Sequence, residues 1–129
     1  MKRHQFALGL LVVAVFVLSA SCDLFGRSID ATVSKFQDYL NSSDRSQIYT
    51  ILDSSASKYS QVTAAYWDTN FPVGETYTIS VSASGTSATG KITSGTTYAG
   101  GKDIIFSFTK NGFDNVISSI VVAGNTIFK

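Results

Sequence analysis

The sequence predicts an α+β domain in which helices come first and an antiparallel sheet follows. Between Ile29 and Leu40, apolar residues recur at steps of three and four, which is the period of a helix with one buried face. From Tyr77 onward, apolar residues alternate with polar ones, which is typical of half-buried strands, and glycines interrupt the alternation where turns are needed. We therefore expect two or three helices packed on one face of a curved, four-stranded antiparallel meander.

Two helices and one shorter segment are predicted before the sheet. Ser28 is a suitable N-cap for the first helix, and Asp44 with Gln47 has the spacing of a capping box that starts the second. Residues 62–71 form either a short helix or an irregular turn, because Pro72 and Gly74 follow directly. The apolar faces of the two helices consist of Ile29, Val33, Phe36, Leu40, Ile48, Ile51 and Leu52.

Four strands are predicted after the helices, with glycine-containing turns between them. Asn111 and Gly112 give the strongest hairpin signal, because a type I′ turn needs positive φ at both central positions. After Gly124, the chain either returns as a short edge strand over residues 126–128 or continues as one bulged strand. The predicted strands cover residues 77–83, 87–97, 103–110 and 113–122.

The N-terminus has the layout of a secretory signal peptide. Lys2 and Arg3 precede residues 6–18, which contain no charged or amide side chain, and small residues then lead to Cys22. The apolar run is shorter than the about 20 residues that a membrane-spanning helix needs. We therefore predict that residues 1–21 are a signal peptide that is removed.

The residues around the predicted cleavage point resemble the lipobox of bacterial lipoproteins. Leu18, Ser19, Ala20 and Ser21 stand before Cys22, which is the only cysteine in the chain. In that family, such a cysteine is lipid-modified and becomes the first residue of the mature protein. The family usually has leucine three positions before the cysteine, where this chain has Ser19.

The lipobox resemblance implies that Cys22 is lipidated and attaches the protein to a membrane of the bacterial cell envelope. Residues 22–28 would be the lipidated N-terminus and a short linker, and residues 29–129 a single α+β domain. The alternative is ordinary cleavage after Ser21. That cleavage would leave one unpaired thiol in an oxidising compartment, so lipidation explains the single cysteine better.

The predicted order of elements resembles the cystatin-like roll shared with nuclear-transport-factor-like domains. Residues 66–72 (YWDTNFP), followed by residues 77–80, resemble small uncharacterised bacterial lipoproteins of that fold. The resemblance implies a roll with helices on a curved sheet, and it implies no assigned reaction.

Composition excludes several classes of chemistry for the mature chain. Its only histidine, His4, leaves with the signal peptide, so zinc, haem and iron–sulfur sites and histidine-dependent triads lack their usual residues. Once Lys2 and Arg3 are removed, eight basic residues face nine acidic ones without any cluster. We expect no cofactor, no metal ion and no nucleic-acid partner, and we assign no catalytic residue.

One aromatic segment is the candidate binding surface. Tyr66, Trp67, Asp68 and Phe71 lie close together in the sequence and would form a contact surface in a non-catalytic module. Its partner would be an envelope protein, a glycan or a small apolar ligand. Core packing is the competing explanation for the aromatic residues, because a small domain needs large side chains to bury enough area.

The alternative function is a small isomerase- or dehydratase-like enzyme, by analogy with rolls that use an aspartate base and a tyrosine donor. Asp68 or Asp38 would be the base, and the donor would be Tyr39, Tyr49 or Tyr77. An aspartate before Thr69 and Asn70 is more often a turn or cap residue. We therefore favour the binding module.

Overall fold

Residues 26–129 are described by a computed structural model, so the predicted signal peptide and Cys22 lie outside the described residues. This part of the chain has two α-helices, α1 (Ile29–Asn41) and α2 (Ala64–Asn70), and 3₁₀ helices at Arg45–Ile51 and Tyr59–Gln61. One antiparallel sheet follows, with its strands in sequence order. Its strands are β1 (Thr78–Ser84), β2 (Ser87–Thr93), β3 (Lys102–Asn111), β4 (Asp114–Val122) and β5 (Asn125–Phe128). The predicted α+β class is confirmed.

Helix α1 forms as predicted. The Ser28 side chain accepts a hydrogen bond from the Ala31 amide at 3.1 Å, which satisfies one free donor of the first turn. The apolar face turns inward and buries Val33, Phe36 and Leu40. A helix of this length is only marginally stable on its own, so burial of its apolar face against the sheet provides most of its stability.

The second predicted helix is a 3₁₀ helix, not an α-helix. The Asp44 side chain accepts from the Ser46 amide at 3.2 Å, one residue earlier than the predicted capping box requires. A 3₁₀ turn places residues three apart on the same face, which suits the inward-facing pair Ile48 and Ile51. Beyond this helix, the Asp53 amide donates to the Ile117 carbonyl of β4 at 2.8 Å.

The sheet has five strands, one more than the four expected. The chain does return after β4, so the edge-strand alternative at the C-terminus is confirmed and a single bulged strand is wrong. Bulges occur within both pairings of β4, where the registers shift at Ser107/Phe108 and at Ile120/Val121. Bulges of this kind bend strands and increase their twist.

The turn predicted at Asn111 and Gly112 is a hairpin turn, but its type was predicted wrongly. Asn111 pairs with Asp114, so the central residues are Gly112 and Phe113. Only Gly112, at +62°, has positive φ, which is the pattern of a type II′ turn. Two consecutive positive φ angles, the type I′ pattern, occur instead at Ala123 (+50°) and Gly124 (+81°).

The hydrophobic core lies between the helices and one face of the sheet. Phe36 of α1 is at its centre, with edge-to-face contacts to Trp67, Phe71 and Phe106 at centroid distances of 5.8, 5.9 and 5.5 Å. All four side chains are completely buried. Large aromatic rings therefore fill the space between α1 and the sheet.

Both edges of the sheet are covered in part by polar groups of the chain. At β1, Asn41 accepts from the Tyr77 amide and Gln37 accepts from the Ile79 amide, both at 2.8 Å. On the other side of the sheet, β5 pairs only with residues 120–122 of β4, and the part of β4 before them is not paired with β5; there the Asn115 amide donates to the Arg27 carbonyl at 3.0 Å. These contacts satisfy backbone groups that an exposed edge would leave free for another chain.

The backbone of β1 lies so close to Gly90 in β2 that a side chain there has no room. A Cβ atom at Gly90 would overlap the Ser80 carbonyl oxygen and lie 2.7 Å from the Val81 Cα. We expect Gly90→Ala to lower the free energy of unfolding by about 2 kcal/mol or more, because the neighbour is backbone that cannot move aside alone. Denaturant unfolding measures this. Gly95→Ala is the matched control, since nothing lies within 4 Å of its added Cβ, and equal stability of the two variants would contradict the prediction.

Candidate functional site

The predicted aromatic segment forms α2, and its four candidate residues do not share one surface. Trp67 and Phe71 point inward and are completely buried, so they belong to the core and cannot contact a partner in this conformation. Tyr66 is half-buried and its hydroxyl donates to the Ile127 carbonyl. Asp68 faces outward, with 47% of its side chain exposed. Helical periodicity explains the split, because residues four apart, such as Trp67 and Phe71, lie on the same side.

The Trp67 indole is enclosed by aromatic rings. It contacts Phe36 and Tyr66 edge-on, at 5.8 and 5.6 Å, and Phe71 in a stacked arrangement at 6.1 Å. Its Nε1 is buried without a hydrogen-bond partner among the described residues. An unpaired buried donor costs free energy.

A buried arginine, Arg45, donates hydrogen bonds to this aromatic segment. The Arg45 guanidinium donates from Nε and Nη2 to the Leu40 carbonyl at 3.1 and 3.0 Å. Its Nη1 donates to the carbonyls of Trp67, at 3.4 Å, and Phe71, and to Asp68 Oδ1 at 3.1 Å. We call Arg45 and these three carbonyls the Arg45 centre.

The Arg45 centre joins the C-terminal ends of two helices. Leu40 is in the last turn of α1, and the other two carbonyls come from the last turn of α2 and from its C-cap. Carbonyls at the end of a helix lack intrahelical partners and carry partial negative charge, so a cation stabilises both ends. The Trp67 carbonyl is an exception, because it also accepts from the Phe71 amide at 2.7 Å. The guanidinium also lies 5.9 Å from the centroid of the Tyr77 ring. Sequence analysis missed Arg45, because its acceptors are backbone groups that no side-chain pattern reveals.

The aspartates and tyrosines of the enzyme alternative are not brought together. Asp68 is paired with Arg45, Asp38 is exposed on α1, and Tyr49 is 51% exposed. The Tyr77 hydroxyl donates to the Pro72 carbonyl at 2.6 Å. Burial, followed by the negative charge of nearby Glu75, raises the pKa of Tyr77 to about 12, so this hydroxyl keeps its proton at neutral pH.

Glu75 holds the loop between β2 and β3. Its carboxylate accepts from the Ser94 hydroxyl at 2.9 Å and from the Thr97 amide at 3.0 Å. These bonds turn the chain away from the sheet, which explains why β2 ends at Thr93 and not at the predicted residue 97. Hydrogen bonds from Thr97 and Ser94 lower the pKa of Glu75, and the Thr97 contribution is the largest.

The face of the sheet opposite the core carries short hydroxyl side chains in register. Ser84 pairs with Ser87, Ser87 with Ser107, and Ser107 with Ser119, so one row of serines crosses four strands. We call this surface the hydroxyl face. Sequence analysis did not place these serines together, although the alternation within each strand puts them on the side opposite the core.

The hydroxyl face has one ion pair and a shallow depression beside it. Lys91 Nζ lies 2.5 Å from Asp103 Oδ1, and both side chains are largely exposed. The depression, about 330 Å³ in volume, is lined by Thr89, Gly90, Lys91, Asp103, Ile104 and Ile105. The pair neutralises itself, so this surface offers hydroxyls and little net charge.

Two further observations concern residues 26–129 only. No group of three or more His, Cys, Asp or Glu side chains is placed there to hold a metal ion. None of the helices in that range has the length and apolar character needed to cross a membrane. Comparison of the chain with protein-family models, with curated proteins and with solved structures found no significant match.

Replacing Arg45 tests whether its bonds to backbone carbonyls or its pair with the Asp68 carboxylate contribute more to the free energy of unfolding. We expect Arg45→Met to lower the free energy of unfolding by about 3 kcal/mol or more, because the buried Leu40 and Phe71 carbonyls lose this donor. Asp68→Asn is the control, and we expect a loss below about 1 kcal/mol, since about half of the Asp68 side chain is exposed to solvent. Chemical denaturation of both variants measures the difference. Equal losses would show that the ion pair, and not the carbonyls, is the main contribution.

The lowered pKa of Glu75 predicts that part of the stability of the fold is lost in acid. Because its pKa is lowered in the folded state, its contribution is fully present above the unfolded pKa and is lost as the pH falls through the folded value. We therefore expect Glu75→Gln to be less stable than the unmodified protein at pH 7. This gap should shrink as the pH falls below about 4.5. Unfolding curves across this pH range measure it, and a gap that does not change with pH would contradict the assignment.

Proposed function

We propose that this protein is a bacterial lipoprotein, held at a membrane of the cell envelope by lipid on Cys22, and that residues 29–129 form a non-catalytic interaction domain. The observation that carries the proposal is the position of the only cysteine, directly after a charged and then apolar N-terminal segment and four residues before Gly26, the first residue that the structure describes. A lipid anchor explains both the leader and the single cysteine.

We propose that the domain is a cystatin-like roll. Helix α1 packed across an antiparallel meander supports this, as do the two bulges that bend the sheet around it. The fifth strand extends the four-stranded arrangement that the sequence pattern predicted.

An envelope protein or a glycan fits the surfaces better than a small apolar ligand does. The space between α1 and the sheet is filled by Phe36, Trp67, Phe71 and Phe106, which leaves an apolar ligand no enclosed site there. The hydroxyl face offers many short donors and acceptors and little net charge, which suits polar recognition. The enzyme alternative gains no support from the positions of its aspartates and tyrosines, which are spread between core and surface.

The anchor is tested by the mass and partitioning of the mature protein made in a bacterial host. We expect an intact mass equal to residues 22–129 plus acyl chains, and recovery in the detergent phase of a two-phase extraction. Cys22→Ser should abolish both, because serine offers no thiol for acylation. Ser60→Ala, a change at an exposed position of the folded domain, is the control and should leave both unchanged. An unacylated mature mass for the unmodified protein would overturn the proposal.

A further inference from the structure

The tip of the β3–β4 hairpin projects beyond the rest of the sheet. The neighbouring β1–β2 hairpin turns after Ser84, at the level of Ser107 in β3, whereas β3 continues to Asn111. The Thr86 carbonyl in that turn accepts from the Phe108 amide at 2.8 Å, so three further residues of β3 carry the tip about 10 Å past the turn. Phe113 stands at the tip with 77% of its surface exposed, although it is a large apolar residue.

The first described residues are fixed against this same tip. The Arg27 amide donates to Asp114 Oδ1 at 2.6 Å, and its carbonyl accepts from both nitrogens of Asn115, at 3.0 and 2.9 Å. Gly26 is so close to Phe113 that an added Cβ would lie 2.7 Å from the Phe113 Cβ. The chain therefore leaves the domain beside the exposed phenylalanine.

The distance from this point to the proposed anchor is short. Cys22 precedes Gly26 by four residues, and an extended chain of that length reaches at most about 14 Å. A lipid on Cys22 would therefore hold the hairpin tip within reach of the membrane surface. The sequence between them includes Leu24 and Phe25, two more large apolar residues.

We propose that the hairpin tip is a second membrane contact, in which Phe113 inserts into the interfacial region of the bilayer that holds the Cys22 lipid. This inference rests on the proposed lipid anchor. Aromatic side chains favour the membrane interface, and a lipid on Cys22 would hold this one within reach of it. The occupant of this surface is the phospholipid bilayer itself.

The contact is apolar and not electrostatic. Lys110 is exposed near the tip and has a long stem that keeps its charge among the headgroups, but Asp30 and Asp114 lie on the elements beside it. With charges of both signs, the tip has no polybasic character that would attract anionic lipid. Binding should therefore depend little on anionic lipid or on ionic strength.

The contact also defines an orientation for the domain. Helix α1 starts at the tip, where Thr32 Oγ1 donates to the Asn115 carbonyl at 2.9 Å, and runs for 13 residues, about 20 Å, to the other end. The Arg45 centre and Val73 lie at that far end, beside Asn41. They would face away from the membrane.

Site-specific fluorescence on the acylated protein in phosphatidylcholine vesicles tests this orientation. Acylation of the only natural cysteine leaves no free thiol, so Asn111→Cys or Val73→Cys can carry one polarity-sensitive fluorophore. We expect the probe at 111 to shift to shorter wavelength in vesicles and to be quenched by lipids with a nitroxide near the headgroup. The probe at 73, an exposed position at the far end, is the matched control and should be unaffected.

The contribution of Phe113 to the membrane contact is tested in the labelled Asn111→Cys protein. Phe113→Ser, added to the Asn111→Cys protein, should reduce the quenching by roughly twofold or more, because the apolar insertion is lost. Higher ionic strength should leave the quenching of the parent protein unchanged. Val73→Ser is the matched substitution and should have no effect at position 111.

Three results would overturn the inference, and they differ from failure of the lipid anchor. A water-exposed probe at 111 in a protein with an acylated mass would refute the membrane contact while the anchor stands. If the probe at 111 is shielded from water only when the vesicles carry a high density of protein, the tip contacts another copy of the protein and not the bilayer. Quenching abolished by salt would refute an apolar contact. An unacylated mass would overturn both proposals together.

Discussion

The fold depends on one buried cation that satisfies the ends of two helices. Arg45 donates to the carbonyls of Leu40, Trp67 and Phe71, which come from parts of the chain that are distant in sequence. Without this donor, the C-terminal ends of α1 and α2 would leave carbonyls buried and unpaired beside the core. The same contacts hold α2 against α1, which is why Trp67 and Phe71 point into the core and not toward a partner.

The two ends of α1 have different structural roles. At its C-terminal end, Asn41 and Gln37 cover the β1 edge, and Leu40 joins the Arg45 centre. At its N-terminal end, Thr32 and the preceding Arg27 are tied to the start of β4. The helix thereby connects a polar, closed end of the domain to the end where the chain continues toward Cys22. Any membrane attachment through the N-terminus acts on the second end.

The polar groups of the described domain lie mainly at its surface and not in an enclosed cavity, which is the arrangement that the proposed interaction role would use. The aromatic side chains that could have lined a cavity pack against one another, and the Tyr77 hydroxyl is bound to a backbone carbonyl. The hydroxyl face, in contrast, is left uncovered by the domain's own helices, which pack on the opposite side. Surfaces of this kind bind through many weak polar contacts, so they need no single reactive residue.

The amino-acid sequence by itself determined the features that depend on local pattern. Periods of 3.6 and two residues were enough to locate α1, the meander and its hairpins. The signal peptide and the lipidation of Cys22 stay predictions from the sequence, since those residues lie outside the described part of the chain. The tertiary structure alone decided the 3₁₀ helix at Arg45–Ile51, the turn types and the burial of Trp67. It also decided that Arg45 is a core residue and that Phe113 stands beside the chain start. These features depend on backbone carbonyls and on contacts between distant segments, which the order of side chains along the chain does not encode locally.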